Sequence, residues 1–198
     1  MNANYPRFIP RLFPNAKTIV DRFHIIQLLG RSLDQARLAL IHGISDHHSR
    51  VYKVLKSQWR LFHMKCMDID DKTPHYLFGI NEYMTQQNAL DLGFKDHPRF
   101  KQVYDVYQAI QQALSTGDER KLVNALNTYK HTGTEMDTAI STLKKNMIAI
   151  KNSCKYSYSN EPVEGKRRIM KYQSIVRQID NCHEVFHIHW LVAYLFAV

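Results

Sequence analysis

Residues 98–118 read PRFKQVYDVYQAIQQALSTGD, and this stretch decides the fold class. Phe100, Val103, Tyr107, Ile110 and Leu114 recur at the three- and four-residue spacing that stacks side chains on one face of an α-helix. Ser115-Thr116-Gly117 ends that helix and Asp118 caps the next. Further along, Leu122, Ala125, Leu126 and Tyr129 form a second stripe. Thr134-Glu135-Met136-Asp137 has the form of a capping box with Asp in place of Glu, and Met136, Ile140, Leu143, Met147 and Ile150 lie behind it on one face. Toward the N-terminus, Phe94 to Pro98 breaks the pattern, and a helix is expected over about Asn81 to Leu92. Asp68 to Pro74 reads as a loop. Val51, Leu55, Trp59 and Phe62 share a face behind an N-cap at Ser45-Asp46, with Lys53, Lys56 and Arg60 off the stripe. Ile25, Ile26, Leu28, Leu29, Leu33, Ala36, Leu38 and Leu40 are dense enough to predict a helix buried on more than one side. The chain from roughly 22 to 153 is therefore almost wholly helical, without repeats or a Pro-, Gly- or Ser-rich linker. Ahead of it, Tyr5 to Phe13 reads as a short helix. Pro14-Asn15-Ala16 is a break, and Lys17-Thr18-Ile19-Val20-Asp21 reads as a short strand, the only one expected.

The chain has 198 residues, 44% hydrophobic and 23% charged, which suits one domain or one domain with an insertion. No apolar run approaches the roughly 18 residues of a membrane span, and the N-terminus lacks the apolar core of a signal peptide. Three widely spaced cysteines, Cys66, Cys154 and Cys182, suit reduced thiols in a cytoplasm better than a disulfide framework. A net charge of +9 with neutral histidines favours a polyanionic partner, nucleic acid before others; an uninvolved basic surface is the bland alternative.

Several side chains invite chemistry. His42, His47, His48, His187 and His189 lack a cysteine at zinc-type spacing and read as ordinary histidines. Trp59, Tyr104 and Tyr107 could stack on bases, but their spacing among Leu and Val favours the core. Arg167, Arg168, Lys171 and Arg177 form the best basic cluster, suited to phosphate contact or to a solvated face. Lys144-Lys145 and Lys151 with Lys155 are weaker versions of it.

Two segments carry more than periodicity. One comprises Asn4-Tyr5-Pro6, Leu12-Phe13-Pro14-Asn15-Ala16 and Asp21-Arg22-Phe23-His24-Ile25. The other is Ser157-Tyr158-Ser159-Asn160-Glu161-Pro162-Val163-Glu164-Gly165. In this order, flanking a long helical stretch, they resemble the ISL-three family of DDE transposases of bacterial insertion sequences, over about residues 1 to 165. The resemblance implies a ribonuclease H-like core with two aspartates on its sheet, a glutamate on a later helix and an all-helical insertion between. It implies DNA cleavage and strand transfer assisted by Mg²⁺, whose hard character calls for carboxylate oxygens. Glu164 matches the third carboxylate, with Glu161 where the family usually has glycine.

The fold expected is mainly α. Residues 1–30 hold the last strand of a partial ribonuclease H-like α/β core, 31–155 the helical insertion, and 156–198 the Glu-bearing helix and a divergent tail. The family's two catalytic aspartates align ahead of Met1, so the reading is a truncated transposase, inactive as this fragment and binding no Mg²⁺ by itself. Glu164 would be its catalytic carboxylate and only a weak metal ligand alone. Asp21 would be accessory, with helix capping as its local role. His24 and Asn160 would shape the metal site from behind its ligands. After Gly165 the family's basic motif is replaced and the tail turns apolar, as in a damaged or frame-shifted gene. The expected partners are transposon-end DNA and a second copy or a full-length transposase, with no membrane and a cytoplasmic location. The alternative is a non-enzymatic basic helical remnant that binds DNA or protein; a third reading is a helical interaction module without a nucleic-acid role.

Overall fold

The computed structural model describes residues 17–156. Eight α-helices carry them: α1 (Arg22–Gly43), α2 (Arg50–Ser57), α3 (Trp59–His63), α4 (Gln86–Phe94), α5 (Pro98–Thr116), α6 (Glu119–Thr128), α7 (Glu135–Lys145) and α8 (Met147–Lys155). A 3₁₀ turn at Cys66–Asp68 follows α3, and a hairpin of β1 (His75–Leu77) and β2 (Glu82–Met84) precedes α4.

Helix α5 is the axis of the bundle. Its stripe of Phe100, Val103, Tyr107, Ile110 and Leu114 is buried throughout. Pro98 stands in its first turn, where a missing N–H costs nothing. Gly117 closes it in the left-handed region at φ 68°, its N–H bonded to Ala113 O. Asp118 then caps α6, its carboxylate accepting from Lys121 N at 3.0 Å. Helix α5 packs against α1, α6 and α8, while α1 also lies on α7 and α6 on α8. The core between them holds Leu29, Leu33, Leu122, Leu126, Met136 and Ile140. A second packing centre surrounds Phe62, whose ring lies 5.7 Å from Phe94 and 5.3 Å from Phe100, and here α2, α4 and the hairpin close over the end of α5.

Four expectations need correction. Lys17 to Val20 form no strand; they lie along α8, bonded to it mainly through side chains, because the described residues offer them no neighbouring strand. The helix expected from Asn81 begins at Gln86, capped by Thr85, and the residues before it form the hairpin. Ser49 rather than Ser45 or Asp46 caps α2; Asp46 instead closes a turn, its carboxylate accepting from His48 N and its carbonyl from Ser49 N. Trp59 is 41% exposed, because the helical register breaks at Gln58 and α3 leans Leu61 and Phe62 inward in its place. Tyr104 and Tyr107 are in the core as predicted. On α1 the burial is less complete than its composition suggests: Ile25, Leu29, Leu33 and Ala36 are buried, but Leu38 is 37% exposed. The predicted face from Met136 to Ile150 is inside, with a break at Asn146 that divides it between α7 and α8.

Asp137 shows what the shortened capping box does. Thr134 caps α7 through Met136 N at 3.3 Å. The Asp137 carboxylate, one methylene shorter than Glu, reaches the loop ahead of the cap: Thr132 N at 3.1 Å, Gly133 N at 2.8 Å and Tyr129 Oη at 2.6 Å donate to it. Burial alone would raise this carboxyl, but those donors, Tyr129 foremost, outweigh it and hold the pKa at about 2.

Candidate functional site

Helices α1 and α8 bring together the two ends of the helical body. Asp21 begins α1 in the extended conformation of an N-cap, and its Oδ1 accepts from Phe23 N at 2.8 Å. Arg22, the first helical residue, turns its side chain to the far end of the chain's helical excursion. Its Nε donates to Ser153 O at 2.7 Å and its Nη2 to Cys154 O at 3.3 Å. These carbonyls lie in the last turn of α8, where the backbone leaves acceptors unsatisfied and the helix dipole favours a cation.

The segment ahead of Asp21 reinforces that junction. Val20 N donates to Ala149 O at 3.4 Å and Asn152 Nδ2 to Thr18 O at 2.9 Å. The Ser153 hydroxyl donates to Val20 O, and Ser153 is buried. Lys17 Nζ donates to Tyr156 Oη at 2.8 Å, which lowers the tyrosine pKa. Lys17 and Lys155 both stand against the Tyr156 ring, at 5.3 and 5.9 Å from its centroid. The base of the body is thus cationic, and α1 and α8 each expose an apolar side chain, Phe23 at 61% and Ile148 at 80%.

Of the predicted site residues, Asp21 and His24 are at this junction. Asp21 serves as the cap of α1, the local role anticipated for it. His24 is half-buried one residue on from Phe23, whose ring meets it edge-on at 5.5 Å. Glu164, Asn160, Arg167, Arg168, Lys171 and Arg177 lie outside the described residues, as do the Tyr5 to Phe13 segment, His187 and His189. Glu164 follows Tyr156 by eight residues in the sequence. Among the weaker basic candidates, Lys151 is engaged with Glu119 at 3.1 Å, while Lys144, Lys145 and Lys155 are exposed.

Sequence reasoning passed over Arg22, although it stands inside the Asp21 to Ile25 word. The sign available was a cation at a helix start, where the dipole disfavours it; such a residue has to find its counter-charge elsewhere, here at another helix's C-terminus. A second polar cluster also went unread. Arg37 Nη1 donates to Leu55 O at 2.8 Å and Arg37 Nε to Asp34 Oδ1 at 3.1 Å, while His63 Nε2 lies 3.1 Å from Asp34 Oδ2. This cluster ties α1 to α2 and α3.

A family of proteins described as transposases, the ISL-three group of DDE transposases, matches residues 1–178 of the chain. The chain belongs to this family. Its segments flanking the helical body are therefore family segments in a transposase, and the Arg22 junction joins the first of them to the end of α8. No curated protein and no solved structure matches the chain. Family membership implies a DNA partner and divalent-metal chemistry. Among the described residues no group of three or more His, Cys, Asp or Glu side chains could hold a metal ion, and Asp21 by itself does not fit one. No described helix is long and apolar enough to cross a membrane.

Proposed function

We propose that the chain serves DNA transposition in the cytoplasm and that its helical body is an insertion looping out of the catalytic core. The observation that supports this is the meeting of the body's two ends: an excursion of more than a hundred residues begins at Asp21-Arg22 and returns to Arg22 at Ser153 and Cys154. An insertion has to do this if the elements on either side of it belong to one core. On this reading residues 1–30 are part of a ribonuclease H-like core, 31–155 the insertion, and 156–198 the segment bearing Glu164. Glu164 is the carboxylate that the chain contributes to cleavage and strand transfer, with Asp21 accessory and His24 and Asn160 behind the ligands. Arg167, Arg168, Lys171 and Arg177 contact phosphates.

With one matched carboxylate of the family's three, the 198-residue chain is expected to bind DNA and to leave strands uncut. Anisotropy of a labelled duplex, titrated across a range of KCl concentrations, tests the first part. Affinity is expected to fall steeply with salt. Replacing the four basic residues by alanine is expected to flatten the slope by about one for each phosphate that is no longer neutralised. Salt-independent binding, or none, contradicts the proposal. Mg²⁺-dependent cleavage by the chain alone, abolished in Glu164→Ala, would overturn the second part while keeping Glu164 in its role.

A further inference from the structure

The hairpin presents aromatic rings to solvent on the face that the core does not use. Its register pairs His75 with Met84, Tyr76 with Tyr83 and Leu77 with Glu82. Side chains alternate across a strand, so Leu77 and Met84 go inward, where both are buried, and Tyr76 and Tyr83 stand outward together. Their ring centroids are 5.3 Å apart, and Phe78, at the start of the loop, adds a third ring 5.1 Å from Tyr76. Exposure is 40% for Tyr76, 75% for Tyr83 and 78% for Phe78. A solvated hairpin face ordinarily carries polar side chains, and three contiguous exposed rings signal a partner.

The surroundings indicate which partner. Tyr83 also lines an open groove of about 790 Å³ that carries Arg50, Lys95 and Lys101 beside Asp91. Arg50 pairs with Glu82 at 2.5 Å and Lys101 with Asp105 at 2.8 Å, both at the surface. Exposed pairs of this kind are worth about 1 kcal/mol or less and yield readily to a phosphate. Rings beside a groove that carries three basic side chains are the two components of a single-strand binding surface: bases stack on the rings and the backbone follows the cations. A second copy of the chain suits the face less well, because each molecule carries +9.

We propose that the outer face of the β1–β2 hairpin, Tyr76, Phe78 and Tyr83, is a stacking platform for unpaired bases of DNA, with the adjoining groove receiving the backbone. The inference rests on the reading of the chain as a DNA-binding transposase. Anisotropy titrations of the full chain with a labelled oligothymidylate and with a labelled duplex test it. In the Phe78→Ala/Tyr83→Ala variant, single-strand affinity is expected to fall about ten-fold or more while duplex affinity holds. Phe78→Trp is expected to keep single-strand affinity, and circular dichroism checks that each variant is folded. Unchanged single-strand affinity in a folded alanine variant overturns the platform and leaves the proposed function standing. So does a dimer in sedimentation that the alanine variant dissociates without any change in DNA binding. Wild-type chain that binds neither DNA form overturns both.

Discussion

Arg22 and Asp137 each do several jobs that their residue type alone does not announce. Asp137 gathers donors from the α6–α7 connection, and Tyr129, half-buried and bonded to that carboxylate, is pushed up to about 12. The carboxyl's folded pKa of about 2 lies below its unfolded value of 3.8, so the stability it confers is complete above the unfolded value and lost as pH falls toward 2. Partial exposure to solvent discounts the contribution to about 1 kcal/mol. Urea unfolding of the wild type and of Asp137→Asn is expected to show a gap between them at pH 7 that closes as the pH falls from about 4 to about 2. A gap that does not change with pH contradicts this assignment. The Thr134–Asp137 word was legible as a cap; the use of its carboxylate was not, because the reach of a short side chain depends on how the preceding loop folds.

Among the elements, helices with strong stripes were readable and the hairpin was not. Helix α5 follows its stripe from Phe100 to Leu114. The strands, three residues each, are too short to establish an alternating pattern, and the apolar residues on both faces mimic a helical segment. The surviving sign was the loop between them, where Gly79 has φ 90° and Asn81 φ 63°. Gln58 Nε2 fixes this loop to the end of α2 by donating to Phe78 O at 2.7 Å. A Cβ at Gly79 would stand 2.5 Å from Ser57 Cβ in a conformation that side chains rarely adopt. Gly79→Ala is therefore expected to destabilise the fold by about 1–3 kcal/mol, read as a lowered urea midpoint. Adding Ser57→Gly relieves the collision but not the dihedral strain, so the double variant is expected to recover part of the loss. Full recovery would show that the positive φ costs nothing; no loss in Gly79→Ala would contradict the loop geometry.

For the molecule as a whole, the mainly helical class was written in the spacing of Leu, Ile, Val and Tyr along 22–153. The strand at Lys17 to Asp21 was misread because its β-branched run describes a segment that packs in extended form. Whether it pairs depends on neighbours that a local pattern does not reveal. Nor does spacing say that residue 22 meets residue 153, since that contact crosses the entire bundle. The family words marked both segments; the fold sets the first of them against the end of α8. Closure of the helical body at its base is the central claim, because the proposal that the body is an insertion requires its two ends to meet. It is tested most directly by nitroxide labels at Lys17→Cys and Lys155→Cys, both exposed, in a chain whose own cysteines are replaced by serine. Dipolar spectroscopy is expected to give one short, narrow distance that broadens and lengthens when Arg22→Ala removes the bonds to Ser153 and Cys154. A long or broad distribution in the chain that retains Arg22 would contradict the account.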